Sequence, residues 1–288
     1  MRVALVGNND GPLVLAKSMR ARNGRPVCIG LQKPVSAALK AEYRQVIGKE
    51  DFFSGFAEPR LLEILKAYDF DLLINCFCNF KFRKLLDNYN VLNVHLAPLP
   101  RYRGRHPLHW ALINGETEFG FTVHKMDTDF DSGEIYWQGK IPIESGMSVA
   151  ELRSALMKKL AAGFGDFLED YKNGSIRPRS NPDKEATYAP KRNPEDSLLT
   201  EWHDRDTVYR KVMALRSGNH PAYLNVEGKK IAVTKAKLEE GTVTPQNAVS
   251  IEQLHDDGLS IICKDGRRIR LYGFHLGQQS ITLNQELI

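Results

Sequence analysis

A two-part α/β fold, with a mostly parallel sheet followed by a small β-rich domain, is predicted by three features of this 288-residue chain. Short apolar runs alternate with helical patterns through the first half, as strands joined by crossover helices require. A long amphipathic segment then closes that half. Beyond a polar, proline-punctuated stretch, the apolar runs come in pairs around Gly-containing turns, the mark of hairpins.

Residues 3–6, 27–31, 72–76 and 91–96 read as buried strands, and 13–22 and 59–68 as helices between them. Residues 118–125 and 134–143 read as two further strands joined by a loop. Ser148-Val149-Ala150-Glu151 is a capping box. The helix it opens carries Val149, Leu152, Leu156, Leu160, Phe164, Leu168 and Tyr171 at spacings of three and four, one apolar face. Lys172, Asn173 and Gly174 then supply a stop. Residues 175–197, with Arg177-Pro178 and Ala189-Pro190, suit an extended connection. The expected layout is therefore a first domain over 1–174, a linker over 175–199 and a second domain over 200–288. In the last, 207–215 reads as a helix. Residues 222–226 and 229–237 read as a hairpin turning at Glu227-Gly228, and 259–263 and 268–274 as another turning at Asp265-Gly266.

Hydrophobic residues at 42% and charged residues at 26% are globular values and argue against disorder. The chain has no apolar run near the roughly 20 residues that span a bilayer. The strand pattern begins at once after Met1, and Cys28, Cys76, Cys78 and Cys263 lie in apolar runs. These features predict a soluble, reduced, cytoplasmic protein. The net charge of +5 is spread thinly: from residue 174 onward 17 Lys and Arg stand against 15 Asp and Glu. Such a chain can hold a phosphate or two but carries no nucleic-acid stripe.

Asn93 and His95 are two apart, so in a strand their side chains point the same way. Pro98 and Pro100 cannot continue a ladder and stop the strand just past them. The pair thus sits at a carboxyl-terminal strand end, where open α/β sheets bind ligands. Asp131 lies in the Gly-containing loop between the next two strands. Amide, imidazole and carboxylate make an acid–base set, and no Ser or Cys motif adds a nucleophile. His106 and His109 lack further ligands at suitable spacing, so no metal is expected. The turn Gly7-Asn8-Asn9-Asp10-Gly11-Pro12 could present amides to a phosphate at a helix start, with Asn8 and Asn9 as contacts. It lacks the dinucleotide spacing and the Walker lysine.

Asn93-Val94-His95 with Asp131-Ser132-Gly133 downstream resembles the active-site region of the folate-dependent formyltransferases. Leu99-Pro100-Arg101-Tyr102-Arg103-Gly104 and Trp110-Ala111-Leu112-Ile113-Asn114-Gly115-Glu116 support the likeness. Residues 196–202, the helix after them and His220-Pro221-Ala222-Tyr223 resemble, more loosely, the opening of that family's appended barrel-like (OB-like) domain. The resemblance implies a Rossmann-like catalytic domain and 10-formyltetrahydrofolate as cosubstrate. Asn93 and His95 would polarise the formyl oxygen, and Asp131 would take the amine proton. It implies that Phe77, Asn79, Phe80 and Lys81, with Asp127 and Thr128 in the loop before Asp131, face the folate. The acceptor would then meet Asn8, Asn9, Tyr102 and Arg103.

Among acceptors, initiator tRNA would demand many phosphate contacts. The segment 30–40, where tRNA-modifying relatives carry a basic insertion, is short and mildly basic here. A nucleotide-linked amino sugar is therefore the expected acceptor. Alternatives are methionyl-tRNA, formyltetrahydrofolate hydrolysis, or a folate-binding module without activity.

Overall fold

The computed structural model describes residues 1–217, 220–226 and 229–274. Their contacts divide into two compact units. The first comprises residues 1–104, 119–141 and 154–189, and the second 105–118, 142–153 and the chain from 190.

The first unit is built on a seven-stranded sheet. In chain order it receives β1 (Val3–Gly7), α1 (Gly11–Arg20), β2 (Cys28–Leu31), α2 (Ala37–Val46), β3 (Phe52–Ser54), α3 (Glu58–Leu65), β4 (Leu72–Cys76), α4 (Lys84–Asn88) and β5 (Val91–His95). After the two-residue β6 (Arg103–Gly104) and α5 (Pro107–Asn114), β7 (Glu118–Lys125) and β8 (Ile135–Pro142) complete the sheet. The strand order is β3-β2-β1-β4-β5-β7-β8. The strands from β3 to β5 run parallel, and β7 runs antiparallel to β5.

Every residue of β1, β2, β4 and β5 is buried, which explains runs without polar alternation. Alternate residues serve the two faces. Ala4, Val6, Cys28, Leu73 and Val91 pack with Leu61 and Leu65 of α3 and Leu85 of α4. The long helix α6 (Val149–Lys172) opens with the expected capping box. Ser148 N–H donates to Glu151 Oε2 at 2.7 Å, and Glu151 N–H to Ser148 Oγ at 3.3 Å. Trp137 of β8 stacks on Phe167 of α6, centroids 5.3 Å apart.

The stretch expected as a linker is divided between the units, and its first part is bound into the sheet unit. Arg179 exchanges both backbone hydrogen bonds with Ile135, at 2.8 and 2.9 Å. The two-residue β9 (Tyr188–Ala189) pairs in parallel with β6.

In the second unit α7 (Arg205–Leu215) supplies Arg210, whose Nε donates to Ile113 O at the end of α5 at 3.2 Å. The hairpin β10 (Ala222–Val226) and β11 (Lys229–Val233) forms as expected, its turn lying outside the described residues. Its second strand was expected to reach 237 and ends at Val233. The ladder runs out at Ala222, because Pro221 before it has no N–H to donate. The chain then starts β12 (Lys235–Thr242), which pairs with β15 (Arg267–Tyr272). With β13 (Ser250–His255) and β14 (Gly258–Ile262) these make a four-stranded antiparallel sheet, order β12-β15-β14-β13. No helix among the described residues is long and apolar enough to cross a membrane.

Candidate active site

β5 ends where Pro98 and Pro100 begin, and the turn beyond it is held by neighbouring strands. Thr122 Oγ1 donates to Ala97 O at 2.6 Å and accepts from Leu99 N–H at 3.1 Å. On the buried end of β5 the structure brings Asn93, His95 and Asp131 together. Asp131 Oδ1 is 3.3 Å from Asn93 Nδ2, and Asp131 Oδ2 is 3.6 Å from His95 Nδ1. Gly104 N–H donates to Asp131 Oδ2 at 2.8 Å. Gly104 sits at φ +101°, and a Cβ there would lie 2.7 Å from Ala189 O, so the position demands glycine.

A polar chain fixes the orientation of Asn93. Cys78 N–H donates to Asn75 Oδ1 at 3.2 Å, which leaves Asn75 Nδ2 to donate to Asn93 Oδ1 at 2.8 Å. Asn93 Nδ2 must then be the donor toward Asp131, and it also lies 3.0 Å from His124 Nε2. His124 Nδ1 is 2.8 Å from Lys125 O, so that nitrogen carries a proton. His124 Nε2 is also 3.4 Å from Asp131 Oδ1. His95 Nε2 lies 2.8 Å from Tyr102 O, and both of its ring nitrogens therefore face acceptors. Burial pushes the Asp131 carboxyl up, but the interactions with His95, then His124, and the Gly104 N–H outweigh it. They hold Asp131 well below the usual carboxylate range.

Asn75 and His124 thus belong to the cluster, although neither was among the site residues expected from the sequence. The available signal for Asn75 was one amide inside the apolar run Leu72-Leu73-Ile74-Asn75-Cys76.

The residues expected on the folate side fall into two neighbouring loops. Lys81 Nζ donates to Thr128 O at 3.2 Å and lies over the exposed Phe130 ring, 4.3 Å from its centroid. Asp127 Oδ1 accepts from Thr128 N–H at 2.6 Å and shapes that loop. Asn79 N–H donates to Gln32 Oε1 at 2.8 Å. Phe77 adopts a positive φ of 73°, and its carbonyl accepts from Asn8 Nδ2 at 2.8 Å. Phe80 packs against Phe56 and Phe82, so its ring belongs to the apolar core cluster as much as to the loop.

On the expected acceptor side the structure makes two corrections. Arg103 does not face an open site. Its side chain is 2% exposed, with Nη1 2.7 Å from Asp183 Oδ1 and Nη2 2.9 Å from both Asn181 O and Oδ1. The Tyr102 ring is buried edge-on against Phe119, and Tyr102 reaches the cluster through its carbonyl. The pairing of β6 with β9 turns the Arg103 side chain toward Asn181 and Asp183, while the backbone N–H of Tyr102 donates to Thr187 Oγ1 at 2.9 Å. Asn8 is buried, with Nδ2 shared between Gln32 Oε1 and Phe77 O, while its Oδ1 is buried without a partner. Asn9 is exposed at φ 54°, and its carbonyl accepts from Tyr43 Oη at 2.6 Å.

His106 and His109 lie in the second unit with ring centroids 5.5 Å apart, and no group of three metal-ligating side chains occurs among the described residues. Burial, then the charges of Arg192 and His106, lower the His109 pKa to about 4. An unfolded chain takes up that proton near pH 6.5, so stability is full above this value and is lost as pH falls toward 4. The melting temperature should drop between about pH 7 and 5, and His109→Gln should flatten the drop. An unchanged slope in the variant would remove His109 as its cause.

Comparison with known proteins places this geometry. The methionyl-tRNA formyltransferase of Trichlorobacter lovleyi is 28% identical over 73% of this chain, which spans 66% of that relative's length. The N-formyltransferase of Helicobacter canadensis, solved with folinic acid and dTDP-3-aminofucose, superposes with a TM-score of 0.72 at 13% identity, covering 94% of this chain and 99% of that one. HypX of Aquifex aeolicus, solved with tetrahydrofolic acid, gives 0.66 at 20% identity, over 99% of this chain and 46% of that one. Both likenesses establish the fold. Residues 2–164, more than half of the sequence, match the profile described as formyl transferase, and the chain belongs to that family.

Proposed function

We propose that the protein is an N-formyltransferase that moves a formyl group from 10-formyltetrahydrofolate to the amine of a nucleotide-linked amino sugar. The observation that carries the reading is a largely enclosed carboxylate held in its ionised form, Asp131, ringed by His95, His124 and Asn93 at the end of β5. In the reaction the acceptor nitrogen attacks the formyl carbon, and the carbonyl electrons move to oxygen. Asn93 and the His95 imidazolium donate to that oxyanion. Asp131 accepts the proton lost by the attacking amine. Collapse breaks the bond to the folate nitrogen, which takes a proton in turn. No covalent enzyme intermediate is needed.

Folate would lie along Phe77, Asn79, Phe80 and Lys81 and the loop at Asp127 and Thr128. Asn8, with its unpartnered buried Oδ1, and Asn9 remain the acceptor-side candidates, whereas the Arg103 guanidinium does not. The choice of a small acceptor rests on charge, since residues from 174 onward carry 17 basic against 15 acidic side chains. A cytoplasmic setting, where reduced folates and nucleotide sugars are both available, belongs to the same proposal. Methionyl-tRNA is the second reading, favoured by the sequence relative from Trichlorobacter lovleyi.

The deciding assay supplies 10-formyltetrahydrofolate with nucleotide-linked 3-amino and 4-amino sugars and, separately, methionyl-tRNA. A formylated sugar is expected. A tRNA product instead, with affinity falling steeply in salt at a log–log slope of roughly −0.7 to −0.9 per phosphate contact, would reverse the choice of acceptor.

A further inference from the structure

Asn181 is fifty residues from Asp131, yet its side chain clasps the loop that carries it. Asn181 Nδ2 donates to Asp131 O at 2.8 Å and to Gly133 O at 3.0 Å. Asn181 Oδ1 accepts from Arg103 Nη2 at 2.9 Å, as does its main-chain carbonyl. The amide has one consistent orientation, because carbonyls can only accept and a guanidinium can only donate. Arg103 in turn has its backbone N–H on Thr187 O at 2.9 Å and precedes Gly104, whose N–H meets the Asp131 carboxylate. Asp131 itself stands at φ 53°, in the left-handed region that residues other than glycine seldom adopt. That backbone state turns its carboxylate toward Gly104, His95 and His124.

We propose that Asn181, anchored by Arg103, is a positioning residue that holds Asp131 in this backbone conformation and so aims the proton acceptor. The inference rests on the formyl-transfer reading for its kinetic arm only. A carboxylate at 181 would keep Arg103 but set oxygens against two carbonyls. An alanine would remove both donors without adding charge. The titratable groups facing Asp131 are His95 from β5 and His124 from β7, while Asp183 faces Arg103.

The test compares wild type, Asn181→Asp and Asn181→Ala in the full chain. It measures kcat, KM for both substrates, melting temperature and the Asp131 carboxyl signal by carbon NMR across pH. Both variants should lose about 10- to 100-fold in kcat, the scale of a misplaced catalytic group, with each KM within about threefold of wild type. The Asp131 signal should keep its ionised position to lower pH in wild type than in either variant. A wild-type kcat in the variants, a loss confined to KM, or an unmoved Asp131 titration would overturn the clasp. Should Asn181→Asp fail to fold, Asn181→Ala decides. Wild-type protein that formylates no acceptor would sink the proposed function, and the NMR comparison would still judge the clasp.

Discussion

Asp131→Asn is expected to lower kcat by at least about 100-fold, the magnitude of removing a general base, with little change in KM. Asparagine tolerates the left-handed backbone at φ 53° and can still accept from Gly104 N–H, so the fold should survive. What disappears is the charge that His95 and His124 now face. Asn93→Ala and His95→Ala should reach the same magnitude by a different route. The first also strands Asn75 Nδ2 without its acceptor inside the sheet, so its melting temperature should fall as well. Turnover within tenfold of wild type in Asp131→Asn would take the carboxylate out of the chemistry.

Gly133→Ala should be nearly as damaging, though alanine is the smallest possible change. A Cβ at 133 would lie 2.1 Å from Lys125 O, the carbonyl of the strand facing it, and backbone cannot yield as a flexible side chain can. The loop would have to lift away from β7, loosening the bonds from Asn181 to Asp131 O and Gly133 O. We expect kcat to drop by about two orders of magnitude, together with a loss of stability of roughly 1–3 kcal/mol as for other overpacked sites. Chemical denaturation and steady-state kinetics on one preparation test both, and normal values in each would show that the loop adapts.

The sheet and the candidate cluster at the end of β5 were legible for different reasons. The runs at 3–6, 72–76 and 91–96 announce strands because both faces are buried and no polar residue is needed. Asn93 and His95 stand out because strand parity places them together before two prolines. Asp131 is placed by its motif, since nothing local shows that a loop 38 residues on folds back to β5. The helix α2 (Ala37–Val46) and strand β3 went unread. Tyr43 is the one fully buried residue of that helix, so it has no continuous apolar face to betray it. Arg103 was misread because a guanidinium beside a catalytic strand looks like a substrate contact. Only the tertiary pairing of β6 with β9 shows that its partners are Asn181 and Asp183. For the same reason 175–189 looked like free connection, as its ladder partners lie far away in sequence.

The interleaving of the two units bears on how the chain matures during synthesis. Residues 105–118 leave the ribosome early but belong with a unit that also takes 142–153 and whose larger part begins at 190, and Ile113 O waits for Arg210. The sheet unit, conversely, acquires Asn181 and β9 only after the whole of α6 has emerged. A nascent chain released at 174 would hold Asn93, His95 and Asp131 without the strap that orients the last of them. It would also expose Leu108 and Leu112 of α5, which are buried in the finished molecule. Neither half is therefore a contiguous module that can complete itself in turn, and a gene split at that point should yield aggregating fragments rather than two folded proteins.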